Sequence, residues 1–166
     1  MKNIDITVEN ATETTFPHED ELKNDVIKIF QNLVGFDEVK SRYTLKDRDF
    51  ETVSFDIILC DDKIIHDINR DYRNIDRPTD VITFAVFADS PETEKFILDK
   101  EINLGEIIIS FETVARQAKE NSNSEKKELY TVTAHGMLHL LGFDHQTEDD
   151  YNFVVKTQDA AVKDYV

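Results

Sequence analysis

Positive charge is scarce in this chain. Thirty-five acidic residues face 19 lysines and arginines, for a net charge of −16 over 166 residues. A broad, non-specific grip on nucleic acid needs a basic surface, so that class of binder is excluded, although a local basic cleft is not. Cysteine occurs once, at Cys60, which rules out an internal disulfide framework and fits a reducing cytosol. It closes an apolar run and reads as a buried packing residue. No apolar run approaches the length of a membrane span, and the first residues, Met1 to Ile6, lack the apolar core of a secretory signal. Glycine and proline number only 4 and 3, and the chain has no linker, internal repeat or low-complexity segment. The length suits one domain over residues 1–166, with a core of its own, in the cytoplasm.

Histidine is also sparse, but it is concentrated. Three of the 5 histidines lie in His135-Gly-Met-Leu-His-Leu-Leu-Gly-Phe-Asp-His145. His135 and His139 are four apart and share one face of a helix. Gly142 stands where that helix needs a left-handed stop, which glycine takes without steric cost. His145 follows on the returning chain. Three neutral imidazoles converging this way leave one side of a metal open, which is the design of a catalytic zinc site with one ion per chain. A lone H-x-x-x-H arises readily by chance; the third histidine and the glycine at the turn make the pattern specific.

The same stretch matches the H-E-x-x-H-x-x-G-x-x-H signature of metzincin proteases at the three histidines and the glycine. It departs at Gly136, where those enzymes carry the glutamate general base, and no methionine follows Met137 to form their Met-turn.

Elsewhere the chain alternates strand and helix patterns. Residues 4–8 and 52–60 read as strands, the second becoming wholly apolar like a central strand. Between them a helix runs from Asp20 to a stop at Gly35, and residues 36–50 are ambiguous. Asp61 or Asp62 caps a helix whose stripe is Ile64, Ile65, Ile68 and Tyr72; His66 lies off that stripe as a solvated residue. Arg70, Arg73 and Arg77 recur three and four apart, with the helix expected to end before Pro78. Residues 80–88 read as a third strand, 89–101 as an exposed acidic excursion, and 104–110 as a fourth strand. A helix through Val114 and Ala118 breaks at Asn121–Ser124, where Ser122 with Glu125 forms a candidate capping box for the histidine helix. On that helix Tyr130, Ala134, Leu138 and Leu141 make the core stripe, with His135 and His139 at its edge. Tyr151, Val154, Val155 and Val162 mark an amphipathic closing helix.

The histidine stretch, together with Asn69-Arg-Asp-Tyr-Arg-Asn-Ile-Asp-Arg-Pro-Thr-Asp-Val-Ile-Thr-Phe84 and the weaker Leu104-Gly-Glu-Ile-Ile-Ile, resembles the YbeY-type bacterial endoribonucleases, or rRNA maturation factors. The match runs from about residue 50 to 150. The resemblance implies a single-domain α+β fold: a small mixed sheet of about four strands, about five helices and a zincin-like metal helix. It implies a zinc-dependent, single-strand-specific endoribonuclease of the cytoplasm, acting in 16S rRNA 3′-end maturation and ribosome quality control. Its partners are then the 16S rRNA precursor and the ribosome or ribosomal proteins, with no membrane and no duplex DNA. His135, His139 and His145 become the metal ligands, and Arg73 the functional arginine. The chain departs from the family pattern at Glu106, Thr83 and Ala85, where Asp, Ser and Pro are usual.

Arg73 also stands out on chemical grounds, since phosphodiester cleavage builds negative charge that a forked guanidinium holds well. The bland alternative makes it a helix-end arginine pairing with Asp71 or Asp76. Arg73 and His135 are the expected catalytic residues. Asp144 either orients a histidine or is a turn residue. No residue declares itself as general base, so attack by a metal-activated water is expected over attack by the RNA's own 2′-OH. Two alternatives remain: a ribosome-assembly protein with a structural zinc, and a zinc metallopeptidase lacking its base.

Overall fold

A computed structural model describes residues 1–166. Four strands, β1 (Asn3–Asn10), β2 (Thr52–Cys60), β3 (Val81–Phe84) and β4 (Glu101–Ser110), form one sheet in the order β1-β2-β4-β3. The first two pairings are parallel and β3 runs antiparallel to β4, so the sheet is mixed and β3 is an edge. Five longer helices accompany it: α1 (Glu19–Gly35), α3 (Asp62–Arg73), α5 (Phe111–Glu120), α6 (Glu125–Leu140) and α7 (Glu148–Val162). Two single turns, α2 (Asp37–Lys40) and α4 (Val86–Asp89), and a 3₁₀ turn at Glu92–Glu94 complete the α+β fold.

Alternation along the strands explains the two layers. Val53, Phe55, Ile57 and Leu59 of β2 and Ile102, Leu104, Ile107 and Ile109 of β4 point into the main core with α1, α6 and α7 residues. The opposite face is smaller: Cys60, Ile82 and Ile108 pack on Ile65 of α3. Cys60 is buried there, and burial pushes its thiol pKa up to about 12, so it is an inert packing residue.

Several expectations shift. The third strand stops at Phe84 instead of 88. It pairs only with β4, and their register ends at Phe84 opposite Glu106, just where β4 carries an extra residue at Gly105. A Cβ on Gly105 would sit 1.9 Å from the Phe84 carbonyl oxygen, and its φ is +125°, so only glycine serves there. Ala85 then leads the chain into α4. The histidine helix is capped by Ser124, whose hydroxyl accepts from the Lys127 N–H, and not by Ser122. Ser122 is left-handed (φ 56°) and belongs to the stop of α5. Gly35 ends α1 without a left-handed φ; the Phe36 N–H closes that helix on the Leu33 carbonyl. Residues 36–50, ambiguous in sequence, form α2 and turns, and the Thr44 N–H ties them to the Leu141 carbonyl. α3 ends at Asn74 in a left-handed cap, placing Arg77 outside the helix, and Tyr72 is 71% exposed instead of completing the buried stripe. On α7 the buried side is Val154, Thr157, Gln158, Ala161 and Val162, leaving Tyr151 exposed.

Gly136 explains how α6 lies on the sheet. A Cβ there would meet Ile107 Cγ2 of β4 at 2.7 Å, so helix and strand touch at that point. Gly136→Ala gains about 1 kcal/mol of helix propensity but must displace a stiff β-branched side chain, which costs ~1–3 kcal/mol. The expected outcome is a lowered urea midpoint in the wild-type background. With Ile107→Ala already present, the same change becomes neutral or stabilising; an equal loss in both backgrounds would contradict the contact.

Candidate metal centre

α6 is held at both ends before its histidines are used. After Leu140 the chain closes in a Schellman turn: the Gly142 N–H bonds the His139 carbonyl and the Phe143 N–H the Leu138 carbonyl, both at 3.0 Å. Gly142 has φ +94°, as the sequence pattern predicted. Phe143 is buried behind the turn, and the chain returns past His145. The three ring centroids lie 4.6 Å (135–139), 5.4 Å (135–145) and 5.2 Å (139–145) apart. One ligand atom from each comes within 4.8 Å of the others.

The protonation pattern suits a metal. His135 Nδ1 lies 2.9 Å from Oε1 of Gln158, a buried residue of α7. Since that oxygen only accepts, the ring proton sits on Nδ1 and the Nε2 lone pair is free. It faces His139 Nε2 at 3.0 Å. Burial, more than any charge, lowers the pKa of His135; the neighbouring His145 lowers it further, while the Gln158 bond and the charge of Asp80 oppose. Burial likewise takes His139 down to about 4, with His135 and His145 adding to it. Both rings are therefore neutral near pH 7, the form a metal requires. Two half-buried imidazoles and the exposed His145, with a ring nitrogen of each turned toward the others, fit a metal ion held on three sides. Gln158, which the sequence pattern did not single out, is the partner that orients His135. Its only sequence signal was its place on an amphipathic helix. Asp144 is the turn residue of the two options: its Oδ1 accepts from the His145 N–H at 2.7 Å.

The open side is a cleft of about 210 Å³ lined by Arg73, Val81, Ile82, Thr83, His135 and His139. Arg73, at the last position of α3, is thus brought to the histidines by the edge strand between them. Arg73 is an exposed helix-end arginine but pairs with neither Asp71, which holds Arg70, nor Asp76, which holds His66. Of the 6 arginines, Arg42, Arg48, Arg70 and Arg116 sit in ion pairs, whereas Arg73 and Arg77 are in none. No carboxylate lines the cleft.

Two outcomes follow from this geometry. Gln158→Leu removes the bond that fixes the His135 tautomer and lowers metal affinity about 10–100-fold while the fold persists. Competition with a chromogenic chelator measures it, and unchanged affinity would remove Gln158 from the site. The depressed histidine pKa values also make stability pH-dependent. Above the ordinary histidine value of 6.5 the His139 ring is neutral in both the folded and the unfolded chain, and its effect on stability is nil. Below it the unfolded chain takes up protons that folded His139 refuses until about 4, so stability falls across that window. Urea midpoints of chelator-treated protein should drop between pH 6.5 and 4.5, and less steeply in His139→Gln.

The chain has relatives among known proteins. A family model described as Endoribonuclease YbeY matches residues 7–166. An Endoribonuclease YbeY of Fusobacterium nucleatum is 42% identical over 109 residues, 66% of this chain and 65% of that protein. One from Desulforamulus reducens is 39% identical over 127 residues, 75% and 80% of the two chains. The chain thus spans just under two thirds of the length of the first of these relatives. The solution structure of TM1509 from Thermotoga maritima superposes with a TM-score of 0.57, covering 96% of this chain and 91% of that one; at 24% identity it speaks for the fold alone. The family match over nearly the whole chain, on the residues that build the histidine site, means that this chain belongs to the YbeY endoribonuclease family.

Proposed function

We propose that the protein is a zinc-dependent endoribonuclease that cuts single-stranded RNA, with the 16S rRNA precursor and the ribosome as its setting in the cytoplasm. The observation that carries this reading is the shared cleft: an unpaired arginine, Arg73, and two of the three clustered histidines, His135 and His139, line one depression. His135, His139 and His145 would hold the ion, with the Gln158 oxygen fixing His135. Zinc bound there would polarise a phosphoryl oxygen and activate water.

The chain's own part is positioning and charge. Arg73 offers a forked donor to the phosphoryl oxygens on which charge develops, and no carboxylate competes for it. Its exposed stem and the edge position of β3 leave the cleft open to an extended strand. A duplex would bring more phosphates against a surface of net charge −16, which disfavours it. The peptidase alternative lacks its base, and Ile107 packed on Gly136 leaves no room for a glutamate there. A purely structural zinc is disfavoured by a site with one side open to a cleft.

Arg73→Ala tests the reading. The variant should fold and hold its metal but cut single-stranded RNA about 100-fold more slowly, as when one transition-state donor is lost. Arg73→Lys keeps the charge without the fork and should recover only part of the rate. A folded, metal-loaded Arg73→Ala protein with normal cleavage would return Arg73 to an ordinary surface residue, and absence of cleavage by the zinc-loaded wild type would end the nuclease reading.

A further inference from the structure

The extra residue in β4 has an effect on the far side of the sheet from the histidines. In a regular strand, residues 103 and 106 point to opposite faces. The register slips by one between Ser54–Asn103 and Asp56–Glu106, so here both point to the same open face. There they line a groove of about 490 Å³ with Asp56, Tyr72, Phe84 and Ile108. Bulges of this kind commonly re-aim side chains beside active sites.

The groove adjoins the metal cleft through consecutive residues. Tyr72 lines the groove and Arg73 the cleft at the end of α3; Phe84 lines the groove and Thr83 the cleft on β3. An extended chain lying across edge strand β3 with its phosphate at Arg73 therefore has the groove beside it for a neighbouring group. Tyr72 stands edge-on to Phe84, ring centroids 5.4 Å apart, and is 71% exposed, with Val86 next to it 54% exposed. An aromatic ring left this open, over an apolar floor, is a stacking platform for a flat ring.

The polar lining selects what enters. It holds two carboxylates and no lysine or arginine, so it repels phosphate and admits only a group bearing N–H donors. Asp56 already accepts from the Thr7 hydroxyl, which leaves Glu106 as the freer acceptor. Asn103 uses its Oδ1 to accept from the Gly105 N–H at 2.9 Å, so its Nδ2 remains a free donor. A carboxylate beside an amide donor is complementary to one nucleobase edge: guanine presents N1–H and N2–H₂ to the carboxylate and O6 to the amide. Adenine and cytosine would set a ring-nitrogen lone pair against the carboxylate, and uracil has one ring N–H between two carbonyls.

We propose that this groove is a guanine-binding subsite that takes a base flanking the scissile phosphate of single-stranded RNA. The role in cleavage rests on the nuclease reading of the metal cleft; the binding itself does not. Tyr72 stacks the base, Glu106 and Asn103 read its edge, and the phosphate backbone stays over Arg73.

Two measurements on the zinc-loaded full chain test it. In the first, isotope-labelled protein is titrated with the four free nucleosides, which carry no phosphate to occupy the metal cleft. Guanosine should shift the amide resonances of Tyr72, Phe84 and Glu106 and bind about tenfold more tightly than adenosine, in line with one well-read base edge. Glu106→Gln should erase that preference. Shifts elsewhere, or equal shifts with all four nucleosides, overturn the subsite. In the second, uridine-rich oligonucleotides carry one guanosine at successive positions. Cuts should keep a constant distance from the guanosine, and Tyr72→Ala should lower kcat/KM at those cuts about tenfold, while Tyr72→Phe retains them. Cuts indifferent to the guanosine overturn the groove as a substrate subsite. If no oligonucleotide is cut at all, it is the nuclease reading that fails, and the nucleoside titration still decides the groove.

Discussion

The contact between Gly136 and Ile107 sets the height of everything at the site. A helix packed on a sheet usually keeps its distance through side chains on both surfaces. Here α6 carries no side chain at the closest point, and Ile107 fills the space a Cβ would take. The helix therefore sits low on β4, and the residues on either side of the glycine, Ala134 and Met137 among them, are fully buried. His135 and His139, beside that buried stripe, come level with β3 at the sheet edge. A glycine in mid-helix costs about 1 kcal/mol relative to alanine, and close packing offsets it. This is also why the metzincin pattern fails at that one position: the protease glutamate and this packing are mutually exclusive.

Around that contact, polar partners hold the three histidines together. The Schellman turn at Gly142 sends the chain back so that a third imidazole meets the first two. Gln158 reaches from α7 to fix the proton of His135. Burial keeps His135 and His139 neutral, which stabilises a metal-ready arrangement at neutral pH and makes it sensitive to acid. In the metal-free protein the His139 Nε2–H donates to the His135 Nε2 lone pair at 3.0 Å, and a bound cation would take the place of that proton.

The charge of the chain follows the same economy. With 35 acidic residues, four of the 6 arginines are held locally: Arg42 by Asp150, Arg48 by Glu92, Arg70 by Asp67 and Asp71, Arg116 by Asp62. Arg73, at the end of α3, stays free and lines the metal cleft, and Arg77 in the turn before β3 is in no ion pair either. A strongly acidic protein thus keeps one unpaired guanidinium at the mouth of its histidine cleft.

The histidine triad, the glycine turn and the single-domain layout were legible in the sequence because they rest on local rules. Four-residue spacing shares a helix face, a left-handed stop selects glycine, and two-residue alternation marks strands. The prominence of Arg73 was legible too, through its motif. What only the tertiary structure decided involves residues far apart in the chain. Gln158 meets His135 because α7 packs on α6. Asp71 and Asp76 are unavailable to Arg73 because Arg70 and His66 hold them. The third strand stops at Phe84 because its only partner bulges there, and Tyr72 is exposed because nothing beyond Phe84 covers it. Local periodicity says which face of an element is apolar; how far a neighbour extends to cover that face depends on pairing and packing, which no single stretch of sequence contains.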